Sequence, residues 1–274
     1  MSLNLVTVKI TRRGSFPQEE GGMASRYLAK RIILELTRSR RVLGLWVLFP
    51  LSMLLLFGWV RSEEMGGLGP AFGFTAPGIL IGAALFFSCL GGPVSIIVGE
   101  RERGTLRRLR ASPMNGGQYL AGLTLAHLVI ALGQAVLVYG ITYLVGGHFE
   151  GSVAGGFCIL ALCIGAYVSA GFVIGARFAS GTEDINGTVA GIGVPLLVLG
   201  GTFFPVDSLP PALYTATQLN PVFHMNRAFT AVARGDMGMM EAWPNVVLLV
   251  LFAACAAWMG GRAFNRALMA EPTG

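Results

Sequence analysis

The sequence predicts an all-α polytopic membrane protein, and three observations carry that prediction. Only 12% of the 274 residues are charged against 54% hydrophobic, with a mean hydropathy of +0.66. A soluble domain carries about 25% charged residues, so this chain could not cover a water-facing surface. Six stretches, at 42–60, 77–99, 118–145, 151–176, 187–203 and 243–260, are apolar over about the 20 residues that a helix needs to cross the hydrocarbon core. The basic residues, finally, sort by loop, as the positive-inside rule requires.

That sorting fixes the expected topology. Of the 20 basic residues, nine precede the first span (Lys9, Arg12, Arg13, Arg26, Lys30, Arg31, Arg38, Arg40, Arg41) and five follow the second (Arg101, Arg103, Arg107, Arg108, Arg110). Arg177 follows the fourth, and Arg262 and Arg266 follow the sixth. These share one side, and only Arg61, Arg227 and Arg234 fall on the other. Both termini are therefore expected in the cytoplasm.

Residues 1–41 form a tail and a surface helix. Residues 1–21 carry Gly14, Pro17, Gly21 and Gly22 and read as loose chain. From 23 to 41, Tyr27, Leu28, Ile32, Leu34 and Leu36 contrast with Arg26, Lys30, Arg31, Arg38, Arg40 and Arg41. Such a basic amphipathic helix suits a membrane surface, its apolar stripe in the lipid boundary. No apolar signal-peptide core precedes it, so the first span reads as a retained anchor.

The six spans make up a transmembrane unit at 42–260, and 261–274 read as a cytoplasmic tail. His127 is the one ionisable ring within an apolar run, and it reads as a buried, hydrogen-bonded structural group. Spans this empty of charge weigh against a proton-driven carrier, which keeps ionisable relays in the membrane. Cys89, Cys158, Cys163 and Cys255 all sit in apolar runs without metal-ligand spacing and read as packing residues. The pairs Gly78/Gly82, Gly151/Gly155, Gly171/Gly175 and Gly187/Gly191 recur one turn apart, which lets helices approach closely in lipid or forms a dimer face. Pro50, Pro93 and Pro195 are expected to kink or break their helices, Pro93 most of all.

Two segments outside the spans carry more information. After the second span comes Glu100-Arg101-Glu102-Arg103-Gly104-Thr105-Leu106-Arg107-Arg108-Leu109, then Arg110 to Pro113. Gly104 can end one helix and Thr105 can cap the next, with Leu106 and Leu109 on one face among arginines. Ser112-Pro113 can start the third span, and Asn115-Gly116-Gly117 is a poor helix start. The charged side chains here are expected to stay hydrated, so that losing one costs little stability. Before the last span come Phe203-Phe204-Pro205, Leu209-Pro210 and Asn220-Pro221, with an amphipathic run over 212–229. These predict short helices that dip into the outer leaflet.

The two segments together resemble the ABC-2-type transporter permeases, the membrane subunits of ABCG-like, type V exporters. That family carries Glu-x-x-x-Gly-Thr, leucines and Ser-Pro after its second span, matched here by Glu100, Gly104, Thr105, Leu106, Leu109, Ser112 and Pro113. It carries Gly-x-Phe-Phe-Pro, Leu-Pro and Asn-Pro before its last span, matched by Gly201, Phe203, Phe204, Pro205, Leu209, Pro210, Asn220 and Pro221. The family's Gly-Lys pair early in the third span is absent, since Leu123 follows Gly122.

The resemblance implies that Glu100–Leu109 form a coupling helix received by an ABC ATPase subunit, with the surface helix beside it as a connecting helix. The outer Phe-Pro segment would then cap the exit at the interface with a second permease copy or a related chain. It further implies an exporter of a drug, lipid or other amphiphile (less readily a glycan) in the cytoplasmic membrane of a bacterium or archaeon. ATP and magnesium would be bound by the partner and no cofactor by this chain. A P-loop needs Gly-Lys-Ser/Thr, whereas Ile10 follows Lys9 and Arg31 follows Lys30. The alternatives are a secondary carrier or channel, or an intramembrane enzyme. The enzyme would need paired carboxylates or a nucleophile with a base, and His127, His148 and His224 lie on separate segments.

Overall fold

The computed structural model describes residues 18–105, 114–178, 181–206, 209–235 and 239–270. Most of the expected tail, the distal part of the coupling segment (106–113) and residues 207–208 lie outside them. Among the described residues every regular element is helical. Five helical stretches are long and apolar enough to cross a membrane: Arg40–Val60, Leu68–Glu102, Gly116–Leu144, Val153–Arg177 and Ala242–Ala263. The chain is an all-α polytopic membrane protein.

Helix α1 (Gln18–Arg38) gives way to α2 (Arg40–Val60) across Ser39 alone. The apolar stripe of α1, expected from sequence to lie in the lipid boundary, is partly buried in the protein. Leu28, Ala29 and Ile32 are buried, and Ser25 Oγ donates to the Gln118 carbonyl at 2.9 Å. Tyr27 and Leu34 remain exposed. The reason is Gly122, whose bare backbone lets Leu28 and the Ser25 carbonyl come against it, so protein takes half the stripe that lipid was expected to hold.

The second span is longer than its sequence signal. It runs as α3 (Leu68–Gly78), two π-helical turns (Ile79–Ala84 and Phe86–Gly91) and α4 (Gly92–Glu102). Pro77 is inside it rather than at its start. Pro93 follows the wide turns and occupies the first turn of α4, where a missing N–H costs least. Helices α2 and α7 (Asp184–Leu199) continue through Pro50 and Pro195, so the departure from α geometry is concentrated upstream of Pro93. In the apolar window of this span 83% of residues are buried, against 17% in α2; the second span is the centre of the bundle and α2 lies at its periphery.

Helix α5 (Gly116–Leu144) starts where the sequence looked unfavourable. Asn115 Oδ1 accepts from the Gln118 N–H at 2.9 Å and Gln118 Oε1 from the Asn115 N–H at 3.0 Å. This capping box satisfies two end donors and outweighs the cost of Gly116 and Gly117. Helix α6 (Val153–Arg177) then lies along α4, with Gly171 against the Leu90 carbonyl and Gly175 against Val94. Helix α7 has 16 residues, about 24 Å at 1.5 Å per residue. By itself that is short of the roughly 30 Å hydrocarbon core, so the expected span at 187–203 is not one continuous helix. Gly200 ends it, and the chain turns at Gly201 with φ +72°. Helices α8 (Pro211–Thr217), α9 (Pro221–Arg234) and α10 (Met239–Ala270) complete the fold, α10 continuing beyond the expected span end at 260.

Some of the buried polar groups are linked across helices. Ser88 Oγ lies 2.8 Å from both Gln134 Oε1 and the Ala84 carbonyl, and Gln134 Nε2 donates to the Trp46 carbonyl at 2.9 Å. This chain joins three helices through buried hydrogen bonds. His127 is fully buried, its Nδ1 2.8 Å from the Leu123 carbonyl one turn back, while its Nε2 has no hydrogen-bond partner among the described residues.

Candidate functional site

The residues that sequence analysis assigned to coupling divide into a buried anchor and an exposed tip. Glu100, in the last turn of α4, is fully buried. Tyr119 Oη donates to its Oε2 at 2.7 Å, and Arg31 Nη2 lies 3.1 Å from its Oε1 as an ion pair. Arg31 Nε also donates to Glu35 Oε1 at 2.8 Å, so one guanidinium bridges two carboxylates. Burial pulls the Arg31 pKa down, but Glu35 and Glu100 outweigh it and hold it above its ordinary value. Phe172 meets the Tyr119 ring edge-on at 5.9 Å and helps close the site from α6.

The expectation of a hydrated Glu100 is therefore corrected. Three helices, α1, α4 and α5, meet at this carboxylate. A buried charge without its partner is strongly destabilising, so the junction holds together only as a set. The rest of the segment does face out. Glu102 and Arg103 are exposed, and Arg101 is half-buried with Nη1 3.4 Å from the Gly175 carbonyl. Glu102 Oε1 accepts from the Thr182 N–H at 2.7 Å, tying the tip to the turn before α7. Gly104 adopts φ +65° just past the helix end and Thr105 enters a new helical turn, as the Gly-Thr pair predicted. Leu106, Arg107, Arg108 and Leu109 lie outside the described residues.

Sequence reasoning missed Arg31 and Tyr119 as partners of Glu100. The available signals were slight: a tyrosine at the start of an apolar run, and an Arg31–Glu35 pair one turn apart, which by itself reads as a surface bridge.

At the opposite end of the bundle the expected outer segment wraps a ring cluster. Phe203 stacks on Phe57, centroids 5.5 Å apart, and its carbonyl accepts from Arg61 Nη2 at 2.8 Å. Thr202 is buried, its side chain filling the space above Gly82. Phe204, Pro205 and Pro210 are exposed and Leu209 is half-buried. Asn220 caps α9, its Oδ1 accepting from the Val222 N–H at 2.9 Å, while its Nδ2 donates to the Leu196 carbonyl at 2.7 Å. Pro221 follows in the first turn. Asn226 Nδ2 donates to the Gly200 carbonyl at 2.7 Å. These side-chain amides bind α9 to the end of α7. The apolar face of α9, with Val222, Met225 and Phe229, is buried in the protein, while Leu213 and Leu219 are exposed. The short helices are present, and much of their apolar surface packs inward rather than into lipid.

Residues 24–233 match the ABC-2 type transporter family. Over 176 residues the chain is 25% identical to "Probable multidrug ABC transporter permease YbhR" of Escherichia coli K12, and equally to the protein of that name in Escherichia coli O157:H7. The matched region covers 63% of this chain and 47% of each relative, so the chain spans about half the length of the curated relatives it matches.

Proposed function

We propose that this chain, which belongs to the ABC-2 type transporter family, forms the membrane path of an ATP-driven exporter whose ATPase is a separate subunit. The cargo is a drug, lipid or other amphiphile, carried outward across the cytoplasmic membrane of a bacterium or archaeon. ATP and magnesium are held by the ATPase. Both chain termini are cytoplasmic, the Glu100 end of the bundle faces the ATPase, and the Phe203 end faces out.

The observation that carries this reading is the junction at Glu100. A buried carboxylate locks the end of the central span to the surface helix and to α5. Beyond it the chain presents Glu102, Arg103 and a left-handed Gly104. A push on that tip is thus delivered to three helices at once. Charged groups at a docked surface set register and partner choice, which suits Glu102 and Arg103. Glu100 serves as a positioning residue behind them.

A second permease copy is the further partner. Three of the four glycine pairs pack within the chain, against Thr202, Val232, and Leu90 with Val94. Gly187 and Gly191 face open space on α7, leaving a small-residue face for a neighbouring helix.

The test is to purify the chain with its ATPase after reversing the exposed charges, Glu102→Arg and Arg103→Glu. Membrane yield should match wild type, while ATPase recovery and transport should fall at least about tenfold, as expected where a desolvated charge pair worth roughly 2–5 kcal/mol is lost. Two differently tagged permease copies should co-purify. Wild-type transport by both variants would refute the coupling assignment.

A further inference from the structure

Burial of one side of α1 leaves a second apolar side of that helix to be explained. At about 100° per residue, Met23, Tyr27 and Leu34 fall opposite Leu28, Ala29 and Ile32, and all three are exposed. Exposed Lys30 lies among them, with exposed Arg26 and Arg38 at the two edges. A helix resting on a globular protein in water needs one apolar stripe. This one has two, and only the first is taken up by the protein.

At Ser39 the chain passes from α1 into α2, and cations crowd the corner. Arg38, Arg40 and Arg41 are all exposed. Arg38 has a use within its own helix, since it stands in the last turn of α1, where a cation complements the helix dipole. Arg40 and Arg41 stand in the first turn of α2, which holds no acidic residue, and there positive charge opposes the dipole. Between Met23 and Arg41 the sequence has one acidic residue, Glu35, and it is bridged to Arg31. Glu19 and Glu20 belong to the far end of α1, about 27 Å from Arg38 at 1.5 Å per residue. Helix stability does not account for Arg40 and Arg41.

Past the corner the surface turns apolar. Leu45, Leu48, Leu55 and Trp59 follow Arg41 at helical spacing along one side of α2, and each is at least half exposed. Helix α2 is long and apolar enough to cross a membrane. Cations at the head of an apolar strip match a phospholipid, with its phosphate at the corner and its acyl chain along the strip. A second copy of the chain is a poorer occupant. In the same membrane it would bring its own Arg40 and Arg41 to the same depth, like charge toward like.

From this placement we propose that the exposed face running from Tyr27 and Leu34 across Arg38, Arg40 and Arg41 to Leu45 and Leu48 binds anionic phospholipid of the bilayer. Guanidinium forks take phosphate oxygens in pairs, and Lys30 adds a compact charge. Met23, Tyr27 and Leu34 rest among the upper acyl groups. Helix α1 also carries Arg31, which holds Glu100, so the lipid seats the helix that closes the junction. The leaflet concerned follows from the orientation proposed above; the binding chemistry does not.

The test uses the full chain in detergent, titrated with short-chain phosphatidylglycerol or with phosphatidylcholine of the same chain length, and read by native mass spectrometry. Neither transport nor orientation in a cell enters that reading, so its failure is distinct from failure of the exporter assignment. Phosphatidylglycerol should bind at least about tenfold more tightly, since each basic residue near an anionic surface contributes about fivefold. Arg40→Gln combined with Arg41→Gln should lower that preference at least about fivefold. Arg40→Lys with Arg41→Lys keeps the charge and should keep most of the preference, while Arg262→Gln, at another exposed arginine on α10, leaves it intact. In nanodiscs, brominated phosphatidylglycerol should quench a fluorophore on Leu34→Cys, in a background without the four cysteines, more strongly than brominated phosphatidylcholine. Equal binding of the two lipids, or a preference untouched by the glutamine pair, would overturn the proposal. A Leu34 label that neither lipid quenches would do so too, because the face would then belong to another protein chain. The quenching experiment leaves Arg40 and Arg41 in place, so it decides the matter if the glutamine pair does not fold.

Discussion

The two ends of the bundle handle buried charge in opposite ways. At the Glu100 end a carboxylate with no solvent contact draws a guanidinium from α1 and a phenol from α5. At the Phe203 end Arg61 and Arg234 lie over the Phe74 ring and donate to the carbonyls of Phe203 and Phe74. An acid needs specific donors when it leaves water, so the first arrangement fastens helices to one another. A guanidinium is weakly hydrated and can also be held by rings and carbonyls, so the second arrangement seats the Phe203 segment through less specific contacts. The first end fastens three helices together through one carboxylate, and the second holds a loop against the bundle.

The assignment of the two ends to opposite sides of the membrane gives the largest expected effect, since it is all or none. In a background without the four cysteines, Glu63→Cys should react with an impermeant maleimide on intact cells. Ser39→Cys should react only after permeabilisation. The reverse pattern would exchange the two ends and remove the exporter direction with it.

Next in size is the stability of the junction. Arg31→Ala strands a fully buried carboxylate, a change that costs roughly 3–5 kcal/mol when the partner is itself buried. The side chain of Arg31 is 39% exposed, which places the expected loss at the lower end. Glu100→Gln should cost less, because the amide oxygen still accepts from Tyr119 and Arg31 can turn to Glu35 and water. Denaturation midpoints in detergent measure both. An Arg31→Ala protein as stable as wild type would mean that the ion pair fastens nothing.

The smallest effect belongs to the other end. Asn220→Ala removes the cap of α9 and the bond to the Leu196 carbonyl. A loss of about 1 kcal/mol is typical of a deleted cap. If Asn220→Ala were more damaging than Arg31→Ala, the outer segment rather than the Glu100 junction would be the firmer end.

Much of this was legible in sequence where the signal is local. Gly104 before Thr105 marked a helix end and a new start, because that signal depends on neighbouring backbone only, whereas the amphipathic run over 212–229 hid the break between α8 and α9. The sorting of arginines grouped Arg61, Arg227 and Arg234, which the fold brings together. What remained hidden depended on distant partners. Glu100 sits among charged residues and reads as solvated, since nothing near it in the chain reveals that Tyr119 and Arg31 close over it. Asn115 looked disqualified by Gly116 and Gly117, and the reciprocal bond from Gln118 restored it. Leu28 and Ile32 were correctly apolar, but periodicity cannot distinguish a face meeting lipid from one meeting Gly122. The true start of the second span at Leu68 was masked by Pro70 and Pro77, which the helix accommodates.

The wide turns at Ile79–Ala84 and Phe86–Gly91 lie in the same rod as Glu100. Each residue of an α-helix advances the chain by about 100° around its axis. A π turn holds an extra residue in the winding, so tightening one such turn would rotate all that follows Gly92 by about that angle relative to Leu68–Gly78. Glu100 would swing away from Tyr119 and Arg31. The central span is in this sense a torsion shaft with its slack wound into the middle and its far end bolted. The Arg31–Glu100 pair therefore fixes more than the seat of α1: it sets the rotational phase at which the tip, Glu102 to Gly104, is presented.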